Sequence, residues 1–330
     1  MTAKLLSVII PARNEKYLPN TIDDVLTHSS ADTEVIAILD GTWPDPPLTD
    51  RERVTLIKTP TSIGQRASVN LGARVSEAEF VMKLDAHCAV DQDFDLKLAE
   101  PYHNRKLSAD TTTIPRLYNL HVFDWICEAC ELNFYQADHP GTCNCGSTAF
   151  TEKLVWTPRW HKKTDYMCFD HEMHFQYWYK YHRHHSTRGD LSDLLSSNGP
   201  CFFMPRQRFY DIEGLDEKHG SWGQFGTEVA CKSWLSGGRQ VVNKSTWFAH
   251  YFRVGKLKFP YHISGNAQER AREYSRNLWL NNNWSKQVRP LSWLIEKFAP
   301  VKYWHDEVGA AALAAVMEAG KQFKGENHGT

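Results

Sequence analysis

A short apolar stretch that ends in two polar residues constrains this chain most. Residues 80 to 88 read Phe-Val-Met-Lys-Leu-Asp-Ala-His-Cys, which predicts a buried strand with Asp85 and His87 at its end. Residues i and i+2 of an extended chain point the same way, so both side chains can bind one divalent cation. This oxygen and nitrogen pair suits Mn²⁺, with Zn²⁺ as an alternative. A turn-capping Asp beside a core His would give the same motif, but the flanking sequence favours the cation.

Strands and helices alternate through the first hundred residues. The predicted strands are Leu5–Ile10, Thr33–Leu39, Val54–Ile57 and Phe80–Leu84, with helices after residue 15 and over residues 65–78. This alternation predicts an α/β fold with a mostly parallel central sheet flanked by helices. Ligands of such sheets bind at the C-terminal ends of the strands, where we expect Asp40, Gly64 and Asp85.

Those positions indicate a nucleotide site. A carboxylate such as Asp40 can accept a hydrogen bond from a base N–H or a ribose hydroxyl, and Arg66 near a helix N-terminus can bind a diphosphate. The sequence has neither a Gly-x-Gly-x-x-Gly motif nor a Gly-x-x-x-x-Gly-Lys-Ser/Thr motif. A sugar-nucleotide fold in which a metal carries the diphosphate charge is therefore favoured over dinucleotide and P-loop folds.

Composition bounds the class of protein. The 330 residues are 42% hydrophobic, so we expect a globular chain. Its net charge of -1 gives no overall electrostatic attraction to nucleic acid or to anionic membranes. No leader pattern opens the sequence, and no apolar run reaches the ~20 residues of a membrane span. We expect a cytoplasmic chain with no membrane partner, and the sequence does not predict its oligomeric state.

Four cysteines form a candidate zinc knuckle. Cys127 and Cys130 are followed by Cys143 and Cys145, and four thiolates at such spacing can complete a tetrahedron around Zn²⁺. The second pair is closer in sequence than the usual Cys-x2-4-Cys. Four unrelated thiols remain the alternative.

Aromatic and basic residues alternate between Trp156 and Arg188. Such a segment can stack bases or sugars and follow phosphates. It is equally compatible with a core-packed helix whose basic face is solvated. A second metal site among its histidines is a third reading.

Further downstream, Trp222 to Glu228 form a Gly-rich approach to a helix, and His250-Tyr251-Phe252-Arg253 follow a strand. A glutamate in the first turn of a helix has an ordinary explanation in the helix dipole, but Gly-rich loops also admit bulky substrates. We expect a catalytic domain over 1–260, divided into a nucleotide-sugar half (1–100) and an acceptor half (101–260) with an insertion at 120–195. A helical extension over 261–330 follows.

In this order the motifs resemble family 2-type glycosyltransferases of the GT-A fold, and most closely the polypeptide N-acetylgalactosaminyltransferases. Leu84-Asp85-Ala86-His87-Cys88 is similar to the family's Leu-Asp-Ala-His-Cys motif. The Trp222–Glu228 loop is similar to its Trp-Gly-Gly-Glu-Asn loop with extra residues, and His250–Arg253 to its His-x-Phe-Arg. Val8 to Glu15 is similar to the family's first strand and loop. The resemblance covers residues 4 to 260.

The resemblance implies a GT-A (Rossmann-like) nucleotide-sugar fold and a site for each substrate. Asp85, His87 and His250 would bind Mn²⁺ (or Mg²⁺), and Glu228, with Asp85 and Trp222, would act in catalysis. The implied UDP-sugar contacts are Pro11, Ala12, Asn14, Glu15, Asp40, Gly64, Arg66, Asp85 and Arg253. Those relatives also carry a membrane anchor and a lectin domain, which we do not expect here, so their protein acceptor does not transfer to this chain.

We therefore expect a metal-dependent transfer of a sugar from a UDP-sugar to the hydroxyl of a macromolecular acceptor. The acceptor we expect first is DNA with hydroxymethylated bases, and the alternatives are protein Ser/Thr or a glycan. Relatives that invert the anomeric configuration of the sugar carry an acidic pair where this chain has Glu228 and Val229. A general base is therefore missing at that position, and we expect the anomeric configuration to be retained. An inactive sugar-nucleotide or nucleic-acid binding module is the rival from another class.

Overall fold

The computed structural model describes residues 4–45, 47–49, 51–159, 165–253, 259–263 and 265–326. Its strands are β1 (Leu6–Ala12), β2 (Thr33–Leu39), β3 (Val54–Lys58), β4 (Phe80–Leu84), β5 (Cys88–Val90), β6 (Thr111–Cys127), β7 (Asn133–Tyr135), β8 (Phe150–Arg159), β9 (Met167–Phe169), β10 (Phe175–Tyr177), β11 (Leu191–Asp193), β12 (Cys201–Pro205) and β13 (Arg239–His250). Its helices are α1 (Leu18–His28), α2 (Gln65–Val75), α3 (Phe94–His103), α4 (Arg206–Asp211), α5 (Phe225–Leu235), α6 (Ala267–Trp279), α7 (Leu291–Lys297) and α8 (Ala310–Glu326).

One large sheet organises these elements. Its order is β11-β13-β6-β12-β4-β1-β2-β3, and β3, β2, β1 and β4 run parallel to one another. All residues of β2 and β4 are buried, because helices or loops cover both faces of this half, which is why these strands read as continuous apolar runs. The predicted α/β class with a mainly parallel sheet is confirmed.

Strand β12 runs antiparallel between β4 and β6. Its register places Cys201 opposite Leu84, and the pairing continues as Asp85 N donates to Pro200 O at 3.0 Å. The loop that precedes β12 therefore lies directly beside the polar end of β4.

Strand β13 brings a distant segment to the same edge. It pairs in parallel with β6 and antiparallel with β5, where His250 lies opposite Cys88. The register of β13 against β6 shifts between Asn243 and Trp247, as in a β-bulge, which bends a strand locally.

The C-terminal helices pack against this body through their tryptophans. Trp279 and Trp304 are fully buried and Trp284 is nearly so, and the indole of Trp304 donates to Phe169 O at 2.9 Å. None of the described helices is both long enough and apolar enough to cross a membrane.

Candidate active site

A cavity of about 540 Å³ opens at the C-terminal ends of β1, β2, β4 and β13. Most of the predicted site residues line it. They are Pro11, Ala12, Glu15, Asp40, Gly64, Asp85, His87, Trp222, His250 and Arg253.

Three predicted metal ligands converge in this cavity. His87 Nε2 lies 3.1 Å from His250 Nε2, and His250 Nε2 lies 3.3 Å from Asp85 Oδ2. Neighbouring ligands of an octahedral cation with bonds of about 2.1 Å are separated by about 3 Å. One oxygen and two nitrogens at this spacing suit a divalent ion such as Mn²⁺.

Two side-chain donors orient the carboxylate of Asp85. Lys83 Nζ and Gln65 Nε2 donate to its Oδ1 at 2.5 and 2.8 Å, which leaves Oδ2 directed toward His250. Burial alone would raise the pKa of Asp85, but the Lys83 ammonium and the His250 imidazole outweigh it and lower that pKa below its usual range. Asp85 is thus a carboxylate at neutral pH, as a metal ligand requires.

Glu15 orients the imidazole of His87. Its carboxylate lies 3.0 Å from His87 Nδ1 and also accepts from Arg253. A proton on Nδ1 leaves Nε2 unprotonated and facing the other two ligands, as is usual for metal-bound histidines. Burial would raise the pKa of Glu15, but His87 and Arg253 lower it to about 2. Burial also lowers the pKa of His250 to about 4, which keeps its imidazole neutral.

Arg66 and Glu228 do not occupy the positions that the sequence suggested. Neither lines the cavity, and both are buried. Arg66 Nε donates to Glu228 Oε2 at 2.7 Å, while its other nitrogens donate to the carbonyls of Gly220 and Gly223 at 2.8 Å. The guanidinium therefore fixes the loop that carries Trp222 instead of facing a diphosphate.

The carboxylate of Glu228 is directed into the protein. It accepts from Asp216 N at 2.5 Å and lies 3.5 Å from Lys232 Nζ. Burial would raise the pKa of Glu228, but Arg66, His219 and Lys232 lower it to about 2. The packing of α5, which carries both Gly226 and Glu228, explains this position. Its first turn lies so close to Ser197 that a Cβ added at Gly226 would be 1.9 Å from Ser197 O.

Asp40 and Asn14 also make contacts within the protein. The Asp40 carboxylate accepts from Ser62 Oγ at 2.8 Å and from the N–H groups of Ile63 and Gly64, so it shapes the turn into α2. Gly64 has a φ of +87° there, a conformation that favours glycine. Asn14 donates to Pro260 O at 2.9 Å and is not part of the cavity lining.

Sequence reasoning missed both residues that orient Asp85, Lys83 and Gln65. Lys83 is fully buried, and its ammonium also donates to Gly199 O at 2.8 Å. The available signal was a lysine inside an otherwise apolar strand, because a buried charge requires a partner. Gln65, which opens α2, gave no comparable signal.

The four cysteines of the predicted knuckle lie together, away from the cavity. Their sulfur atoms all lie within 4.8 Å of one another. They are at the outer end of the β6, β7 and β8 ladder.

Rings of the aromatic and basic segment mostly stack on one another. Tyr177 and Tyr179 are stacked at 5.5 Å, and Trp178 and Tyr181 at 4.2 Å. The segment forms strands and short 3-10 turns instead of the long helix considered above. Residues 160–164, which include Trp160, lie outside the described residues.

We expect Glu228→Gln to destabilise the fold, because removing one partner of a buried ion pair costs about 3–5 kcal/mol. The pKa of Glu228 falls from an ordinary 4.5 to about 2 on folding, so its ionisation stabilises the fold above pH 4.5. That contribution is lost as the pH falls toward 2. Chemical denaturation at several pH values should therefore show a wild-type advantage that shrinks in acid.

Glu318→Gln is the matched control, because Glu318 forms an exposed pair with Lys321 and should change stability by less than about 1 kcal/mol. A Glu228→Gln variant of wild-type stability would contradict the structural role and favour the catalytic one.

Comparisons with known proteins concern the fold and the N-terminal part of the chain. Residues 7–125 match the model of Glycosyl transferase family 2. No curated protein sequence matches the chain. Among solved structures, the chain is similar to GalNAc-T7 with UDP, GalNAc and Mn²⁺, at a TM-score of 0.59 and 16% identity over 96% of this chain and 55% of that one.

A weaker likeness is to S. aureus TarS 1-349 in complex with UDP-GlcNAc, at a TM-score of 0.47 and 12% identity over 96% of this chain and 74% of that one. The chain spans about half the length of the GalNAc-T7 chain, and that likeness concerns the fold. Residues 7–125 thus match the family 2 glycosyltransferase model, as the sequence motifs predicted, and the chain has the GT-A fold that the resemblance implied.

Proposed function

We propose that the chain is a metal-dependent glycosyltransferase that moves a sugar from a UDP-sugar to an acceptor hydroxyl. The observation that carries this proposal is the convergence of Asp85, His87 and His250 in a cavity at the C-terminal edge of the sheet. A divalent ion on these ligands would neutralise the charge that develops on the departing diphosphate. The Mn²⁺ and UDP present in the GalNAc-T7 structure support the choice of ion and donor.

The chain's own residues would position the donor. The backbone of Pro11 and Ala12 and the turn at Gly64 form one wall of the cavity, and Arg253 contributes a cation near the metal ligands. Arg66 and Glu228 act indirectly, since they hold the loop on which Trp222 faces the cavity. Positioning of this kind lowers the barrier by fixing the reacting groups in advance.

The carboxylates support retention of configuration. Those that line the cavity within the described residues are Glu15, Asp40 and Asp85, and each already has partners: His87 and Arg253, backbone N–H groups, and Lys83. Val229, at the place of the missing acid, is buried. Since none of these three carboxylates is free to deprotonate an acceptor for backside attack, the departing phosphate oxygen would accept the proton.

The acceptor we propose is a macromolecule, with hydroxymethylated DNA as the first candidate. Lys180, Arg183 and Arg188 are exposed, on the segment whose Tyr177 lines the cavity. Exposed cations on a segment that reaches the cavity suit a phosphate backbone. Protein Ser/Thr and glycans are the alternative acceptors.

Asp85→Ala should abolish sugar transfer and Mn²⁺-dependent UDP binding, because the variant lacks the anionic ligand. The variant should keep the fold but be less stable, since buried Lys83 loses its carboxylate partner. Glu15→Gln should weaken Mn²⁺ binding by about 10–100-fold, since it disturbs the orientation of His87. Calorimetric titration with Mn²⁺ and UDP, and UDP release with a panel of UDP-sugars, measure these effects.

Asp32→Ala serves as the control, because Asp32 is exposed and immediately precedes β2. It therefore lies at the N-terminal ends of the parallel strands, whereas the cavity is at their C-terminal ends. Full turnover in EDTA would exclude the metal-dependent mechanism. UDP-sugar binding without transfer to any acceptor or to water would favour an inactive binding module.

We expect the product to retain the anomeric configuration of the donor. The anomeric coupling constant in the NMR spectrum of the product, compared with that of the donor, measures it. An inverted product would require a general base, and a histidine in the cavity such as His174 would be the first residue to test.

If the acceptor is DNA, binding should weaken steeply with salt, and Arg183→Ala with Arg188→Ala should reduce the slope of log K against log salt by about 0.9 per lost phosphate contact. Lys321→Ala, an exposed cation on α8, should leave the slope unchanged. Transfer to a peptide or glycan with no salt-dependent DNA binding would assign the acceptor to one of those classes.

A further inference from the structure

The cysteine cluster has the geometry of a tetrahedral metal site. Cys127 Sγ lies 3.6 Å from Cys145 Sγ, and Cys130 Sγ lies 3.5 Å from Cys143 Sγ. Sulfur atoms bound to one Zn²⁺ at about 2.3 Å are separated by about 3.8 Å. A disulfide would instead bring two of them to about 2.05 Å. All four sulfurs lie within 4.8 Å of one another, so they form one group.

Each cysteine pair lies in a tight turn. In the first turn Glu131 N donates to Cys127 O at 2.8 Å, and Glu131 has a φ of +59°. The N–H groups of Ala129 and Cys130 donate to the sulfur of Cys127. Donors of this kind stabilise a thiolate, the form that binds metal.

The second turn explains how Cys-x-Cys spacing fits the site. Gly146 N donates to Cys143 O at 2.9 Å, and Cys143 N donates to Ser147 O at 2.8 Å. The N–H of Cys145 also donates to the sulfur of Cys143. Gly146 has a φ of +88°, so the chain reverses sharply enough for both sulfurs to face the first pair.

The surrounding segment has few buried side chains of its own. Between residues 128 and 149, Gln136 and Cys143 are the buried residues, and nearly all the others are exposed. A polypeptide segment without an apolar core usually needs a disulfide or a metal to hold one conformation.

We propose that Cys127, Cys130, Cys143 and Cys145 bind one structural Zn²⁺ as four thiolates. Binding releases the thiol protons and changes no oxidation state. The ion joins the end of β6 to the loop between β7 and β8 and holds this ladder, residues 124–153, in place. This proposal does not depend on the proposed sugar transfer.

The ladder forms a wall next to the catalytic cavity. Glu152 accepts from Lys16 at 2.8 Å and from Tyr17 at 3.3 Å. A second cavity of about 470 Å³ lies between the ladder and Lys16, and it shares Glu15, Tyr251 and Arg253 with the first. Zinc would therefore stabilise a surface that borders the site without contributing a ligand to it.

Elemental analysis of the full chain, purified without chelator, tests this proposal. We expect one zinc per chain, and its loss in Cys130→Ser/Cys145→Ser, whose substituted residues are exposed. Cys168→Ala is the matched control, because Cys168 is buried away from the cluster. Asp85→Ala should keep its zinc, which separates this site from the histidine site.

Cobalt replacement provides an independent measurement on the unsubstituted chain. We expect a near-ultraviolet thiolate-to-cobalt band that is absent from the double cysteine variant, and hydrogen exchange should increase mainly over residues 124–153 when the metal is removed. The proposal is overturned if the thiolate band is missing, if the variant keeps its zinc, or if mass spectrometry finds the cysteines as two disulfides.

Discussion

The antiparallel pairing of β13 with β5 is the constraint on which the site depends. It places His250 opposite Cys88, and the contact continues as Tyr251 N donates to His87 O at 3.1 Å. Asp85 and His87 are neighbours in sequence, but His250 is 163 residues from His87. A three-ligand site can therefore form only with this long-range pairing, so the proposed metal site is completed when the sheet is completed.

Buried charges then fix the side chains around that pairing. Lys83 and Arg66 are fully buried, and each has a carboxylate partner, Asp85 or Glu228. Buried ion pairs add little net stability relative to apolar residues, but losing one partner is costly. Their effect here is geometric, because Lys83 sets the direction of the Asp85 carboxylate and Arg66 sets the path of the loop before α5.

The sequence predicted the features that depend on local patterns of residues. Apolar runs gave the parallel strands, and strand alternation put Asp85 and His87 on one side. His250 was reached only through the family resemblance, because no local signal reports the pairing of β13 with β5. The resemblance implied a catalytic role for Glu228, but a Gly-rich loop before an acid has the same sequence pattern whether that acid faces a cavity or the interior. The close packing of Gly226 on Ser197 decides between these, and packing between distant segments cannot be read from either segment alone.

The carboxylates of the cavity are already hydrogen-bonded or ion-paired within the protein, which indicates how such a site would work. Glu15, Asp40 and Asp85 line the cavity, yet Glu15 orients the imidazole of His87, Asp40 holds a turn, and Asp85 is itself a proposed metal ligand. Little proton-transfer chemistry is then left to acidic side chains, and acceleration must come from holding the donor and acceptor in the correct geometry. Because that advantage is lost with small displacements, the rigid, buried supports of the site are as much a part of its chemistry as the residues that face the cavity.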